Sequence, residues 1–232
     1  MNSRVLMIVT SHGRLGATGK STGIWAEELA TPYYLLTDAG VEIILASPAG
    51  GAAPIDPGSL HASGQNEPSV ERMLADPALI RQLQSTARVA DLDAAAFDAI
   101  FFPGGHGTMW DLPADAGVTR AVERAYAQGR PIASVCHGAA GLISARRPDG
   151  KPLVAGFKVN SFTDAEEAAV GLTQAVPFLL ESRLRELGGQ FVGAANFEPF
   201  VVRDSQLVTG QNPRSSALVA HEVLRALNSS GS

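Results

Sequence analysis

Cysteine is almost absent from this chain: 232 residues contain one, Cys136. A lone thiol closes no internal disulfide, which fits a reducing compartment, and a cytoplasmic location is the expectation. Basic clusters are missing as well. The 18 Lys and Arg are outnumbered by 23 Asp and Glu, leaving a net charge of −5. No block of them could neutralise a run of phosphates, so nucleic acid is not an expected partner. Apolar runs stay short. None approaches the roughly 20 residues of a membrane span, so no membrane contact is expected. The opening MNSRVLMIVTSHG turns polar after about six apolar residues, where a signal peptide needs roughly 7–15. No internal repeat is visible, and the closing NSSGS (228–232) reads as a frayed end or a cloning remnant. Metal-ligand spacing is lacking too. His12, His61 and His221 stand in unrelated contexts, and neither a metal nor another cofactor is expected.

What is present is a regular alternation. Apolar runs at 4–11, 41–47, 98–105 and 131–136 are continuous rather than alternating, as in strands buried on both faces. Shorter strands are expected at 157–162, 190–194 and 200–210, the last with a turn around Asp204 and Ser205. Helical patterns lie between, at about 22–39, 113–128, 138–145, 177–188 and 214–227. The alternation predicts an α/β fold: an open, mostly parallel sheet sandwiched by helices, as a single domain over residues 1–232. Residues 48–97, rich in Gly, Pro and Ser at their start, read as an elaborated crossover between the second and third strands.

One apparent nucleotide motif fails on spacing. TSHGRLGATGKSTG ends its glycine loop in Gly19-Lys20-Ser21, but five positions before Gly19 stands Arg14, and Gly13 is one residue too far. A phosphate loop needs that interval because successive backbone N–H groups must curl around one phosphate. A plain loop is expected.

The chemistry gathers around IASVCHGAAG (132–141). The strand ends in Cys136, and the small residues Gly138, Ala139 and Ala140 after His137 permit a sharp strand-to-helix corner, the layout of a nucleophile elbow. Such a corner would lie at the carboxyl end of a parallel strand, where open α/β sheets bind ligands. A helix starting there would favour the thiolate. The plainer alternative is a structural cysteine packed as a small hydrophobe. His137 could orient or deprotonate the thiol, and a third group should orient the histidine. Asp164, Glu166 and Glu167 in NSFTDAEEAAVG all qualify, although acids are favoured in a first helical turn anyway. Asp164 reads as the N-cap.

Two further stretches contribute. In TGIWAEELATPYYLLTDAG, Trp25, Leu29, Pro32 and Leu36 form one stripe at helical spacing, with Glu27 away from it and Glu28 on its flank. A carboxyl beside a buried stripe has a raised pKa, the character wanted in a proton shuttle, unless it reaches solvent past the stripe's edge. Pro32 should kink or restart that helix. In FFPGGHGTMWDLP the Gly104–Gly105 corner lets backbone amides approach a ligand. The Gly105 amide, with that of His137, could hold a developing oxyanion. His106 is then a pocket residue or a turn residue.

Together, EELATPYYLLTDAGVEIILASPAGG, FFPGGHGTMWDLP, SVCHGAAGL, NSFTDAEEAAVG and LVTGQNPRSS resemble the ThiJ/PfpI superfamily, in order and over nearly the whole chain. The resemblance implies an open flavodoxin-like sheet of the class I glutamine amidotransferase type. TGIWAEELATP, the long crossover and PGGHG are similar to the branch of heat-shock-protein-31-like chaperones and glutathione-independent glyoxalases (glyoxalase III). By that likeness Cys136 is the nucleophile, His137 the base, Glu28 the acid near the thiol and Glu167 the third member, with Glu166 one position away as the alternative. The implied reaction is cofactor-free. The thiolate adds to methylglyoxal or glyoxal, Glu28 moves a proton between the carbons through an enediol, and water hydrolyses the thioester. Amidase, peptidase or protein deglycase activity, a holding chaperone for unfolded or glycated proteins, and a redox-sensing thiol are the alternatives. A homodimer is expected from the resemblance alone.

Overall fold

The computed structural model describes residues 3–229. In chain order, β1 (Arg4–Ile8), α1 (Ala26–Asp38) and β2 (Glu42–Ser47) are followed by α2 (Pro68–Leu74), α3 (Pro77–Gln84) and β3 (Ala87–Arg88). Next come β4 (Ala99–Phe102), α4 (Thr108–Asp111), α5 (Ala116–Ala127) and β5 (Ile132–Val135). The chain continues through β6 (Lys158–Val159), α6 (Asp164–Ala169), α7 (Leu180–Glu186) and β7 (Gln190–Phe191). It ends in β8 (Val201–Asp204), β9 (Leu207–Gly210) and α8 (Ser216–Ser229).

Seven strands form one sheet in the order β3-β2-β1-β4-β5-β9-β8. Every pair in it is parallel except β8–β9. The open α/β sheet of the sequence expectation is therefore present. Val5 to Ile8, all of β4 and all of β5 are buried, which is why these strands read as unbroken apolar runs. Side chains alternate across the sheet: Val5, Met7 and Phe101 join the core under α1 and α8, whereas Leu6, Ile8 and Phe102 join the core under α5. Since β1 pairs with β2 on one side and β4 on the other, strand order reverses there. Ligands bind open sheets at the carboxyl ends beside such a reversal.

Several boundaries differ from the sequence expectation, each for a local reason. Helix α1 starts at Ala26, not near 22, because residues 22–24 run flat against the crossover. Ile24 bridges Ile55, and a Cβ on Gly23 would stand 2.2 Å from the Pro54 carbonyl oxygen. Pro32 neither ends nor restarts α1. The bond it cannot make is to the Glu28 carbonyl, and the helix runs on across that gap to Asp38. The expected strands at 157–162 and 190–194 shrink to β6 and β7, which pair with each other outside the main sheet. The crossover holds α2, α3 and the two-residue β3, a strand too short to signal itself. The last strand breaks at Ser205, whose φ of 55° makes the turn between β8 and β9. Residues 11–22 form a plain loop closed by an Arg14–Ser21 bridge. Of the closing NSSGS, Asn228 and Ser229 end α8, and residues 230–232 lie outside the described residues. Among the described residues no helix is long and apolar enough to cross a membrane.

The α-helix expected over 138–145 is instead a 3-10 helix, Cys136–Leu142. Gly138 and Gly141 press against β4: added Cβ atoms would lie 2.3 Å from the Phe102 carbonyl oxygen and 2.7 Å from its ring. Gly138→Ala is expected to cost about 1–3 kcal/mol of stability by overpacking, read as a lowered thermal midpoint. An unchanged midpoint would show that the corner tolerates a methyl group.

Candidate active site

The corner after β5 is an elbow in the strict backbone sense. Cys136 has φ 56°, a left-handed conformation costing about 1–3 kcal/mol for a residue with a Cβ. The corner after β4, Pro103-Gly104-Gly105, faces it, because Phe102 and Ser134 are paired at the strand ends. Gly105 adopts φ 106°, and a Cβ there would meet the Gly23 carbonyl oxygen at 2.2 Å, so only glycine fits. The Thr108 hydroxyl links the two corners, within 2.8 Å of both the His137 and Gly105 carbonyl oxygens.

Cys136 Sγ lies 3.2 Å from His137 Nδ1, and His137 Nε2 lies 2.7 Å from Glu167 Oε2. The other Glu167 oxygen lies 2.8 Å from His106 Nε2. Burial alone would raise the Glu167 pKa, but hydrogen bonds from His106 and His137 overcome it and hold the carboxyl down at about 2. An ionised carboxylate only accepts, so both Nε2 atoms carry hydrogen. His137 is pushed down to about 4, first by burial and then by neighbouring His106, against the pull of Glu167. It is neutral at pH 7, with Nδ1 free of hydrogen and able to accept the thiol proton. The His106 and His137 rings also lie in contact, centroids 4.0 Å apart and tilted by 39°. The nitrogens and carboxylate of His106, His137 and Glu167 fall within 4.8 Å of one another, close enough for metal ligands. Two hydrogen bonds to one carboxylate account for that closeness.

Glu166 and Asp164 are placed elsewhere. Thr163, not Asp164, caps α6: its hydroxyl accepts from the Glu166 amide, and the Glu166 side chain accepts from the Thr163 amide. Asp164 instead bonds Ser182 on α7. Glu166 is fully buried, and its Oε1 accepts from the Phe197 amide (2.7 Å), Gln211 (3.1 Å) and Asn212 (2.9 Å). One residue of helical rotation, about 100°, thus separates the acid that meets the histidines from the acid that braces the loops.

Glu28 is completely buried, and neither carboxyl oxygen has a hydrogen-bond partner of good geometry. It lies against the Cys136 thiol and the Gly104 amide; a Cβ on Gly104 would be 2.4 Å from Glu28 Oε2 and 3.0 Å from Cys136 Cβ. Burial drives its pKa well above the ordinary carboxylate value, which favours the neutral acid. Glu27 is only half-buried. Burial pushes the thiol up as well. Burial thus opposes the thiolate that the sequence expectation credited to a helix N-terminus, and a seven-residue 3-10 helix supplies little dipole to offset it. At rest the sulfur is protonated and His137 is the base beside it.

A cavity of about 190 Å³ opens at the sulfur, lined by Gly105, His106, Cys136 and His137 together with Trp25, Phe162, Val170, Phe197 and Pro213. Gly104 packs against Glu28 instead. Sequence reasoning missed the apolar wall. Phe162, Val170 and Pro213 lay within motifs it had quoted, but Phe197 lies in a stretch carrying no signal.

Glu167→Gln is expected to cost about 1–3 kcal/mol at pH 7, because the amide accepts from one imidazole and turns its own N–H groups toward the other. The Glu167 carboxyl titrates at about 2 in the fold against 4.5 ordinarily. Its contribution is therefore complete above 4.5 and fades as pH falls toward 2. Urea midpoints of wild type and variant should converge below pH 4.5; a constant gap would contradict this pairing.

Comparison with known proteins follows the same outline. Residues 22–226 match the DJ-1/PfpI family model. Glyoxalase 3 of Candida albicans is 28% identical over 96% of this chain and 98% of its own. Glutathione-independent glyoxalase hsp3101 of Schizosaccharomyces pombe is 29% identical over 97% and 96%. The crystal structure of glyoxalase III from Candida albicans superposes with a TM-score of 0.86 at 28% identity, covering 97% of each chain. That of the 24 kDa rapid encystment protein of Francisella tularensis gives 0.92 at 37% identity, covering 97% and 99%. The fold, the order of its motifs and the family model agree, and the chain belongs to the DJ-1/PfpI family.

Proposed function

We propose that this protein is a glutathione-independent glyoxalase, converting small α-oxoaldehydes to 2-hydroxy acids through Cys136, with its whole length acting as one α/β domain. The observation that carries the reading is Glu28: a fully buried, hydrogen-bond-poor carboxyl placed against a nucleophilic elbow. A hydrolase needs the thiol, the histidine and an oxyanion site. Moving hydrogen between adjacent carbons needs, in addition, an acid that gives and takes a proton beside the sulfur.

With methylglyoxal, the sulfur adds to the aldehyde carbon as its proton passes to His137 Nδ1. Glu28 protonates the resulting alkoxide, leaving a hemithioacetal and a carboxylate. That carboxylate removes the hydrogen on the former aldehyde carbon, and the imidazolium protonates the ketone oxygen, giving an enediol. Glu28 then delivers its proton to the second carbon while the first hydroxyl loses its proton to His137, leaving a thioester. Water attacks that carbon and gives a proton to Glu28. The sulfur departs with the proton held by His137, and lactate is released. Neutral Glu28 and neutral His137 are restored. Amides of Gly105 and His137 would stabilise the alkoxide. Glu167 keeps the imidazole in the tautomer that presents Nδ1 to sulfur.

The test is incubation of purified protein with methylglyoxal in the absence of glutathione, following lactate. Lactate formation above the uncatalysed rate is expected, and its absence would overturn the assignment.

A further inference from the structure

The cavity beside Cys136 is far more apolar than a methyl substituent requires. Apart from Gly105, His106, Cys136 and His137, every lining side chain is hydrocarbon or aromatic: Trp25, Phe162, Val170, Phe197 and Pro213. Two of these, Val170 (44% exposed) and Phe197 (39%), are among the few large apolar side chains left open to solvent among the described residues. Exposed apolar side chains gathered at one opening mark a binding surface rather than chance.

Phe197 is held there at a cost. Its φ is 62°, a conformation that bulky residues rarely adopt. Nothing in its own sequence favours it; the surroundings impose it. The Phe197 amide donates to buried Glu166 Oε1 at 2.7 Å, and its carbonyl accepts from Arg214 at 3.1 Å. Glu166 is fixed in turn by Thr163, Gln211 and Asn212. The resulting ring sits 6.3 Å from Phe162, which itself lies 4.7 Å from the His137 ring. An aromatic ladder therefore runs from the reacting imidazole to the rim. Strain maintained by a buried carboxylate, at the mouth of a reactive cavity, points to a role for the ring it positions.

We infer that the cavity selects α-oxoaldehydes bearing an aryl-sized apolar substituent, and that Phe197, positioned through Glu166, is the residue that sets this selection. The inference rests on the proposed glyoxalase reading. It places the carbonyl carbons at Cys136 and Glu28 and the substituent between Phe162, Val170 and Phe197.

The experiment compares kcat/KM for phenylglyoxal and methylglyoxal in wild type, Phe197→Gly and Phe197→Asn. Glycine and asparagine both accept a positive φ, so the ring is removed without adding backbone strain, and one variant covers a failure of the other to fold. Wild type should favour phenylglyoxal by about tenfold or more, the scale on which apolar pockets discriminate, and both variants should lose most of that ratio. Equal rates in wild type, or a ratio retained without the ring, would overturn the inference. A second measurement separates it from the parent reading: binding of mandelate against lactate to Cys136→Ala by calorimetry. Mandelate binding about tenfold tighter upholds the apolar selection even if neither aldehyde is turned over, an outcome that would sink only the glyoxalase assignment. Equal binding overturns the selection itself.

Discussion

Cys136→Ala should lower lactate formation from methylglyoxal on the order of 10⁴-fold, as loss of a covalent nucleophile does when no other group can replace it. The remaining parts cannot compensate. His137 Nδ1 faces the sulfur at 3.2 Å, and without a carbon–sulfur bond neither it nor Glu28 holds the aldehyde in place for proton transfer between its carbons. Stability should behave differently. Alanine keeps the left-handed strain at φ 56°, whereas Cys136→Gly relieves it, so the glycine variant should melt above the alanine variant while being equally inactive. That pairing would identify the strain as retained for reactivity rather than for folding. The same variants separate the holding-chaperone alternative, because suppression of aggregation by exposed apolar surface would survive the loss of the sulfur. Lactate formation retained by Cys136→Ala would remove the thiol from the reaction altogether.

Much of this site could be read before any coordinates, because its chemistry sits on the segments that patterning identifies best. Strands buried on both faces announce themselves as unbroken apolar runs, and Cys136 with Gly105 stands at the end of two of them. The small residues after Cys136 signalled the corner, although not its 3-10 winding. That depended on Gly138 and Gly141 meeting Phe102, a long-range contact. Glu28 was legible as a carboxyl beside a buried stripe, but helical spacing left its exposure open. The position of Glu167 against Glu166 was not legible from the residues, since three acids in one first turn all satisfy the helix dipole. Only the capping box, which engages Glu166 with Thr163, turns its neighbour toward His137. The burial of the thiol was not legible for a related reason: sequence shows which element begins at a residue, not how far water is excluded there. Phe197 was invisible, because a left-handed phenylalanine is imposed by Glu166 and Arg214 from two other segments.

Glu28→Gln gives the second large effect and the sharper discrimination. Glutamine preserves shape but can neither remove nor deliver a proton, so transfer between the two carbons should fall by about 10³-fold, within the range for general acid–base groups. Addition of the thiol to the aldehyde should survive, since His137 takes that proton. A bound hemithioacetal should then accumulate, visible by native mass spectrometry as the protein carrying one added methylglyoxal. An amidase or deglycase mechanism places no such demand on Glu28 and predicts a much smaller loss. Stability should move the other way. The Glu28 pKa is raised well above 4.5 in the fold, so above pH 4.5 the unfolded chain releases a proton that the folded chain keeps. Folding is progressively disfavoured as pH rises through that window. Glutamine does not titrate, so the variant should be the more stable protein at neutral pH, and its advantage should grow from pH 4.5 upward. An equal or smaller advantage at pH 7 than at pH 4.5 would mean that the carboxyl is already ionised in the fold. A neutral acid beside a neutral thiol would then be the wrong starting state for the reaction.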